Sequence, residues 1–410
     1  MNPKAHTAGQ AALEIIKKLR SGGHVALLAG GCVRDMLLDR SPKDFDVATD
    51  AKPDRVQELF SRTRLVGARF GVVLVHKSGF DIEVATFRSD GPYSDGRHPD
   101  AVRFGTEIED ARRRDFTING LFFDPIDDRV IDHVGGREDL KVGIIRTIGE
   151  PDHRFAEDHL RMLRAIRLAA RLGFTIDAGT AIAIERHAPH LRAISPERIW
   201  QELEEIITGP TRMVGWSRLV ELGLCDHLVG GVAFDRRTDS AIRHRLSAFE
   251  ASSIDASLGL AILLCDGTSN SAEAFCRALR LSNRLTDAVV WLVSWLPMLR
   301  NESCLELADL KTLMAEQEWP QLLELLRVKL ISDGADLSSY ESVQRRAKAI
   351  DPRDVAPPPL FSGDDLTALG MPPGPRFGEI LKTVFRAQLN ENIKTKAEAR
   401  ELAENLMKEG

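Results

Sequence analysis

The sequence predicts an α+β protein in which an N-terminal α/β module precedes a longer, all-helical remainder. Between residues 24 and 147, short apolar runs typical of strands alternate with turns and helical segments. From about Arg154 onward, long segments with an apolar residue every three or four positions replace these strand patterns. A chain of 410 residues holds about two to three ordinary domains, and an apolar fraction of 43% supplies well-buried cores.

The N-terminal module begins with a strand, a glycine turn and a helix. The apolar run at residues 24–29 ends at Gly30 and Gly31, and the segment VRDMLLD then has a helical pattern. Paired glycines let the backbone approach a ligand, and the following helix N-terminus favours a phosphate. The turn alone is more typical of a tight strand-to-helix connection, because neither a Walker lysine nor a dinucleotide fingerprint accompanies it.

Asp44 and Asp46 follow this turn, with Phe45 between them. Residues two apart in a strand face the same side, so the pattern predicts both carboxylates on one face and Phe45 and Val47 in the core. Two acids on one face repel each other unless a cation lies between them. Carboxylate oxygens suit Mg²⁺, and two such ions ~4 Å apart activate an attacking hydroxyl and stabilise a leaving pyrophosphate. An isolated pair more often marks a solvated strand edge, but the upstream glycine turn favours the metal site.

A third carboxylate lies on a predicted hairpin. The runs VVLVH and FDIEVATF are separated by residues 77–79, which is a hairpin pattern. Glu83 alternates with apolar neighbours, so it completes the metal site if its strand lies beside that of Asp44. Asp81 has the same parity and is the competing candidate, although it lies nearer the turn, where a solvated acid is ordinary.

The charge distribution limits the kind of nucleic-acid contact. A formal net charge of −6 argues against a protein that coats nucleic acid indiscriminately, because such binding needs broad neutralisation of phosphates. Arginines nevertheless cluster at residues 112–114 and between residues 154 and 171. We therefore expect any RNA or nucleotide site there, with solvated helix faces as an equal alternative.

Cysteine use and hydropathy indicate a cytoplasmic protein. The five cysteines are scattered, so neither a zinc knuckle nor a disulfide framework is indicated. The first twenty residues lack the apolar core of a signal peptide, and the longest apolar stretch, residues 288–299, is shorter than the ~18 residues of a spanning helix. We therefore expect neither secretion nor membrane insertion.

The motifs become specific when they are taken together. Gly30-Gly31-Cys32-Val33-Arg34-Asp35 followed by Asp44-x-Asp46 resembles the signature of the class II tRNA nucleotidyltransferase and bacterial poly(A) polymerase family, within the DNA polymerase beta superfamily. Five more blocks follow in the family's order, at residues 83–88, 93–97, 113–119, 157–161 and 195–199. The C-terminal segment 361–402 is also similar, so the match runs nearly end to end.

The resemblance implies a polymerase-beta-like nucleotidyltransferase head with a mixed sheet, followed by an all-helical neck, body and tail. We expect these segments at residues 1–147, 148–220, 221–350 and 351–410, with base recognition in the neck and tRNA binding in the tail. The implied reaction is template-independent addition of CCA from CTP and ATP to the tRNA 3′ end, with Mg²⁺ as cofactor and release of pyrophosphate. The implied partner is the tRNA acceptor arm, with neither DNA nor a membrane.

The resemblance also assigns roles to side chains. Arg114 and Asp115 hold the incoming nucleotide, and an arginine suits triphosphate oxygens because its planar fork bonds them bidentately. Asn119 braces either the ribose or the motif itself. Asp158 and Arg161 act as a protein template that reads cytosine or adenine. The expected nucleotide-binding residues are Gly31, Arg34, Arg114, Asp115, Asn119, Glu157, Asp158, Arg161, Arg164 and Arg167.

The segment beginning at Glu157 is predicted to form one helix. Glu157, Asp158 and Arg161 then share one side, and Arg164 and Arg167 continue it toward nucleotide or RNA phosphates. Taken alone, such a helix is more typical of exposed ion pairs.

The family usually has alanine at position 120, and we interpret Gly120 as a minor change because no functional group is lost.

Three alternatives remain open. A polar loop at residues 90–97 is associated in the family with the final adenosine step, which argues against a CC-only enzyme but permits one that adds only that adenosine. A poly(A) polymerase is less favoured, because residues 69–73 resemble the tRNA enzymes. A non-catalytic RNA-binding protein is disfavoured by the intact acids and arginines. Cys265 stands before Asp266 where some relatives need a metal-binding histidine, so we expect no phosphohydrolase activity.

Overall fold

The computed structural model describes residues 7–66, 71–93, 99–229, 238–249, 252–301 and 305–408. The chain divides into two compact units, Met1–Phe234 and Asp235–Gly410. The first contains a mixed sheet with helices, and the second, over its described residues, is helical. The predicted α+β class is confirmed. Within the described ranges, no helix has the length and apolar character needed to cross a membrane.

The first unit has eleven strands and ten α-helices in its described part. The strands are β1 Ala26–Ala29, β2 Asp46–Thr49, β3 Thr63–Leu65, β4 Val72–Lys77, β5 Phe80–Thr86, β6 Arg88–Asp90, β7 Val102–Phe104, β8 Leu121–Asp124, β9 Arg129–Asp132, β10 Ile144–Ile145 and β11 Thr175–Ile176. The helices are α1 Thr7–Ser21, α2 Gly31–Leu37, α3 Pro53–Leu59, α4 Glu107–Arg112, α5 Gly136–Val142, α6 Pro151–Glu157, α7 Arg161–Leu172, α8 Ala178–His187, α9 Pro196–Thr208 and α10 Arg212–Glu221.

The second unit consists of helices that pack around α12, α14 and α16 and end in a small C-terminal group. The helices are α11 Asp239–Ser247, α12 Ala256–Leu264, α13 Ser269–Ala278, α14 Asn283–Arg300, α15 Leu307–Met314, α16 Trp319–Ser332, α17 Ser338–Lys348, α18 Pro352–Val355, α19 Gly363–Ala368, α20 Pro375–Leu389 and α21 Lys396–Lys408. Phe361, Leu366, Ile380 and Val384 form an apolar cluster with Ala399 among these last helices. The four-segment division at residues 147, 220 and 350 stays a prediction.

Seven strands form the main sheet in the order β3-β4-β5-β2-β1-β8-β9. Every neighbouring pair is antiparallel except β2 and β5, which are parallel. All four residues of β1 are buried, and α1 covers this part of the sheet with apolar residues spaced three and four apart. In this register Asp46 lies opposite Ala29 on β1 and opposite Glu83 on β5. The sheet therefore brings two of the predicted acids onto adjacent strands.

The predicted hairpin is confirmed between β4 and β5. Lys77 pairs with Phe80, so the loop contains only Ser78 and Gly79. Their φ angles are 52° and 86°, as a two-residue type I′ turn requires. The expectation that strands end before Arg154 is wrong, because β11 pairs in parallel with β10. A two-residue strand is too short for its periodicity to show in the sequence.

The helix predicted from Glu157 onward is interrupted. α6 ends at Glu157 and α7 begins at Arg161, with Asp158 in an extended conformation at φ −152°. An Asp158 carboxylate oxygen accepts the Leu160 N–H at 3.1 Å. Aspartate side chains compete for backbone donors in this way and stop a helix that the apolar spacing would continue. Residues 94–97 of the predicted polar loop and residues 69–70 of the 69–73 stretch lie outside the described residues.

Candidate active site

A cavity of about 460 Å³ in the first unit is lined mainly by arginines. Eight arginines face it with three aspartates, so its charge favours an anion. They are Arg34, Arg113, Arg114, Arg161, Arg164, Arg167, Arg171 and Arg198, with Asp46, Asp115 and Asp158. Gly31 and Asn119 complete the predicted residues that line it. Asp44 lines a neighbouring cavity of about 340 Å³, and neither cavity, as the described residues form it, includes Glu83 or Glu157.

The glycine turn lets an arginine lie against the backbone. Gly30 has φ 74°, and a Cβ at this position would lie 2.7 Å from Nη1 of Arg114. The Gly30 N–H donates to the Leu121 carbonyl at 3.0 Å, which ties the turn to β8. A larger residue would be strained by its positive φ and would displace the Arg114 guanidinium. Gly30 therefore fixes the approach of Arg114 to the cavity.

The acids of the predicted metal site differ in burial. Phe45 and Val47 are buried as expected, Asp46 is half-buried, and Asp44 is exposed. Asp44 precedes β2 rather than belonging to it, which corrects the predicted strand pair. The reason is that β1 ends at Ala29, opposite Asp46, so no residue of β1 pairs with Asp44.

Burial raises the pKa of Asp46 to about 6, and the charges of Glu83 and Asp44 act in the same direction, whereas Arg114 opposes them. A carboxylate held among other carboxylates gains from a bound cation. Asp81, the competing candidate, is exposed and bonds His76 Nδ1 across the hairpin at 2.8 Å. Glu83 is also exposed, but it lies directly opposite Asp46 on the neighbouring strand, so the register favours Glu83 over Asp81 as the third acid.

Asp115 is the centre of a buried hydrogen-bond network. Its carboxylate accepts the Phe116 N–H at 2.8 Å, the Asn119 amide at 3.0 Å and the Arg164 guanidinium at 2.7 and 2.9 Å. Burial alone would raise the pKa of Asp115, but the charge of Arg164 and these hydrogen bonds outweigh burial and hold the pKa well below its usual range. Asp115 therefore positions Arg164.

Asn119 links this network to the glycine turn. Its carbonyl oxygen accepts from Arg34 at 2.6 Å while its amide donates to Asp115. Arg34 is buried and also donates to an Asp35 oxygen at 2.7 and 2.8 Å. Of the two roles left open for Asn119, these contacts favour bracing of the motif.

Arg114 is fixed by a buried acid and an aromatic ring. Asp110 is 1% exposed and accepts from Arg114 at 2.9 and 3.2 Å and from Arg113 at 2.7 Å. The Arg114 guanidinium lies 5.1 Å from the centre of the Phe122 ring. Two contacts of this strength hold the side chain in one orientation before any ligand binds.

Glu157 lies behind the cavity and orients two arginines. One of its oxygens accepts from both Arg154 and Arg161 at 2.5 Å. Arg154 also donates to the carbonyls of residues 113 and 114 at 2.6 and 2.7 Å. The break after Glu157 thus leaves the acid beside Arg161 while Asp158 turns toward the cavity.

Three arginines along α7 each bond an acid from a different element. Arg164 bonds Asp115, Arg167 bonds Glu202 on α9 at 2.5 Å, and Arg171 bonds Asp35 on α2 at 3.0 Å. The spacing of three and four residues places them on one helix face, as predicted for Arg164 and Arg167. These pairs hold the arginines in a row along the cavity.

Sequence reasoning missed Arg113, Arg171 and Arg198 as lining residues. Arg198, in α9, donates to Asp158 at 2.7 Å and so fixes the residue expected to read the base. The block at residues 195–199 was the available signal, because Arg198 lies in it. Arg113 and Arg171 belong to the arginine clusters noted in the sequence.

Gly120 has a packing role that helix propensity does not describe. It follows the 3-10 turn Thr117–Asn119, and a Cβ there would lie 2.6 Å from Val134 Cγ2 and 3.1 Å from Ile148 Cδ1. An alanine would therefore need a shift of these side chains.

The absence of hydrolase activity stays a prediction. Asp266, the acid at the position compared with those relatives, forms ion pairs with the buried Arg245 and with Lys329 at 3.2 Å.

Comparison with known proteins gives consistent matches along the chain. Residues 26–146 match the family model described as Poly A polymerase head domain, and residues 252–401 match tRNA nucleotidyltransferase domain 2. Residues 173–234 match the family model described as Probable RNA and SrmB- binding site of polymerase A.

Whole-chain relatives extend these matches. The CCA-adding enzymes of Geobacillus thermodenitrificans and Geobacillus stearothermophilus are each 34% identical, and each match covers 95% of both chains. The crystal structure of the Bacillus stearothermophilus CCA-adding enzyme in complex with CTP matches with a TM-score of 0.80 at 31% identity, over 98% of this chain and 99% of the other. The chain therefore belongs to the family of CCA-adding tRNA nucleotidyltransferases.

Proposed function

We propose that this protein adds CCA to the 3′ end of tRNA from CTP and ATP and releases pyrophosphate at each addition. The observation that carries the proposal is the arginine-lined cavity, in which Asp46 lies close to the side chains suited to a nucleoside triphosphate. The names of the relatives agree with it, since they are CCA-adding enzymes over nearly their whole length.

Members of this family generally use a divalent metal ion. The residues here fit one, because Asp46 lies opposite Glu83 on a parallel strand and is destabilised as an anion by burial and by its acidic neighbours. Asp44, Asp46 and Glu83 would hold Mg²⁺, whose preference for carboxylate oxygens matches these donors. The chemistry that such ions would supply when bound is activation of the tRNA 3′-hydroxyl and stabilisation of the departing pyrophosphate.

The arginines account for triphosphate binding. Arg114, Arg164 and Arg167 line the cavity and are held in place by Asp110, Asp115 and Glu202. Guanidinium groups bond phosphate oxygens in a fork, and groups fixed beforehand lose less entropy on binding. They place the α-phosphate toward Asp46 and stabilise the negative charge that develops on the leaving group.

Base selection is assigned to Asp158 and Arg161. Cytosine and adenine each present an amino group beside a ring nitrogen that accepts a hydrogen bond. A carboxylate accepts from the amino group, and a guanidinium donates to the ring nitrogen. Arg198 and Glu157 hold these two side chains, so the pairing edge is fixed by protein contacts.

The helical segments 221–350 and 351–410 are assigned to the tRNA acceptor arm. Proteins recognise double-stranded RNA mainly by its shape and its phosphates, and a helical surface with scattered basic residues can contact both.

The cysteine pattern of the sequence predicts a cytoplasmic location for this reaction.

The reaction is tested with purified protein, Mg²⁺, labelled CTP or ATP, and tRNAs that end before CCA, after the first C, or after CC. The expected result is two cytidines and then one adenosine, with termination. Incorporation of only the final adenosine, or unlimited adenosine addition to unrelated RNA, would replace this proposal with one of the two related reactions.

Asp46→Ala tests the metal assignment. The variant is expected to lose incorporation while it retains tRNA binding, because Asp46 is assigned to the metal ions and not to RNA. Asp127→Asn, an exposed acid in the same unit, is the matched control and should retain both. Binding without incorporation by the wild-type protein would instead indicate a non-catalytic RNA-binding protein.

A further inference from the structure

Three histidines meet in the first unit, outside the residues assigned to catalysis. His159 lies in the turn between α6 and α7, His187 ends α8, and His190 lies in the 3-10 turn Ala188–Ala193. Each offers one ring nitrogen, and the three nitrogens lie within 4.8 Å of one another. Three imidazoles so close together are either a stacked neutral cluster or the ligands of one ion.

The distances between the three ring centres are close to those of imidazoles around a tetrahedral metal ion. Zn–N bonds of ~2.0–2.1 Å place the centres of coordinating imidazole rings about 5 Å apart. The observed centroid separations are 5.0 Å for His159 and His190, 5.5 Å for His187 and His190, and 6.0 Å for His159 and His187. The His159 and His190 rings are stacked, with 16° between their planes, so at least one of them must turn before both nitrogens face one ion.

The hydrogen bonds of His187 also match a metal ligand. Its Nε2 lies 3.0 Å from an Asp152 oxygen, while its buried Nδ1 has no hydrogen-bond partner among the described residues. The same is true of Nδ1 of His159 within those ranges. A histidine ligand commonly donates its other N–H to a carboxylate, which fixes the tautomer and directs the remaining nitrogen at the ion. Buried nitrogens of this kind otherwise have an energetic cost.

We propose that His159, His187 and His190 bind one divalent transition-metal ion of the zinc class, with Asp152 orienting His187. Imidazole ligands select zinc-class ions, whereas the carboxylates of Asp44 and Asp46 select Mg²⁺. Three protein ligands leave the fourth position to water. The site is chemically distinct from the one that serves nucleotide transfer.

The ion would restrain the turn that carries Asp158. His159 follows Asp158 directly. The same turn is also held by the Arg198 bond to the Asp158 carboxylate at 2.7 Å and by the Leu160 and Arg161 N–H groups, which donate to Asp158 oxygens at 3.1 Å each. Coordination of His159 ties this turn to α8. Any effect on nucleotide choice rests on the proposed function, whereas the metal site itself does not.

The test is a Co²⁺ titration of the full-length protein in excess Mg²⁺, followed by displacement with Zn²⁺. Four-coordinate Co²⁺ gives intense visible absorption, which weakly bound six-coordinate Co²⁺ does not. We expect one equivalent in the wild-type protein, loss of this absorption in His159→Gln and His190→Gln, and a 10- to 100-fold weaker affinity in Asp152→Asn. His153→Gln, an exposed histidine beside Asp152, is the matched control and should bind like wild type.

A second measurement follows the turn directly. Hydrogen exchange of a peptide spanning residues 158–161 should slow when Zn²⁺ is added to the wild-type protein, and should not slow in His159→Gln. Unchanged Co²⁺ absorption in His159→Gln, or equal loss in His153→Gln, would overturn the site. Binding that is lost in Asp46→Ala but kept in the histidine variants would assign the ion to the acidic site instead and also overturn the proposal.

Discussion

Asp115→Asn should destabilise the first unit, because it removes the charge that the Arg164 guanidinium needs. Asparagine keeps the shape of the side chain and can still accept the Phe116 N–H, so the loss is mainly the ion pair at 2.7–2.9 Å. A hydrogen bond to a charged group contributes about 1.5–3 kcal/mol, and a broken buried pair costs more. The Arg164 side chain is 38% exposed, and water compensates part of its charge. We therefore expect Asp115→Asn to lower the free energy of unfolding by about 2 kcal/mol.

The low pKa of Asp115 also predicts how the effect of this substitution on stability changes with pH. The pKa of Asp115 is lower in the folded protein than in the unfolded chain, so its stabilisation is complete above the unfolded value near 3.9 and is lost as pH falls toward the folded value. The difference between wild type and Asp115→Asn should therefore shrink by about 0.7 kcal/mol between pH 7 and pH 3.5.

The assay is urea unfolding followed by far-ultraviolet circular dichroism, fitted with one transition for each unit. Asp127→Asn is the control and should change the free energy of unfolding by less than about 0.5 kcal/mol. A double-mutant cycle with Arg164→Gln should give a coupling energy above about 1 kcal/mol. This account of Asp115 would be refuted if the free energy of unfolding of Asp115→Asn lay within about 0.5 kcal/mol of the wild-type value at pH 7. It would also be refuted if the difference between the two proteins did not become smaller at acidic pH.

Three further substitutions have expected outcomes. Glu83→Gln should reduce nucleotide incorporation by about 100-fold or more, whereas Asp81→Asn should change it by less than about threefold; equal effects would contradict the choice of Glu83. Gly136→Ala should lower the free energy of unfolding by about 2–3 kcal/mol, because its Cβ would lie 2.1 Å from the Thr117 carbonyl oxygen. Gly378→Ala, in an uncrowded position within α20, should instead raise it by roughly 0.5–1 kcal/mol, and thermal unfolding distinguishes the two signs.

The sequence was informative where a local pattern has one structural outcome. Alternation around Glu83 and the short turn at residues 77–79 predicted the hairpin, and Gly30-Gly31 predicted a strand-to-helix turn. It was less informative where one side chain overrides a long pattern. Asp158 does so because its carboxylate accepts the Leu160 N–H and interrupts the helix that the apolar spacing predicts. Contacts between distant segments, such as Arg198 with Asp158, depend on how helices pack and have no local signature.

The arginine row has a consequence for how nucleotide binding responds to ionic strength. The eight arginines of the cavity bond six acids directly, so little of their charge extends into solution as a long-range field. These acids are Asp35, Asp110, Asp115, Glu157, Asp158 and Glu202. A triphosphate is then attracted mainly at short range, within a Debye length of about 8 Å at physiological salt. Its association rate should therefore vary less with added salt than the number of arginines alone suggests.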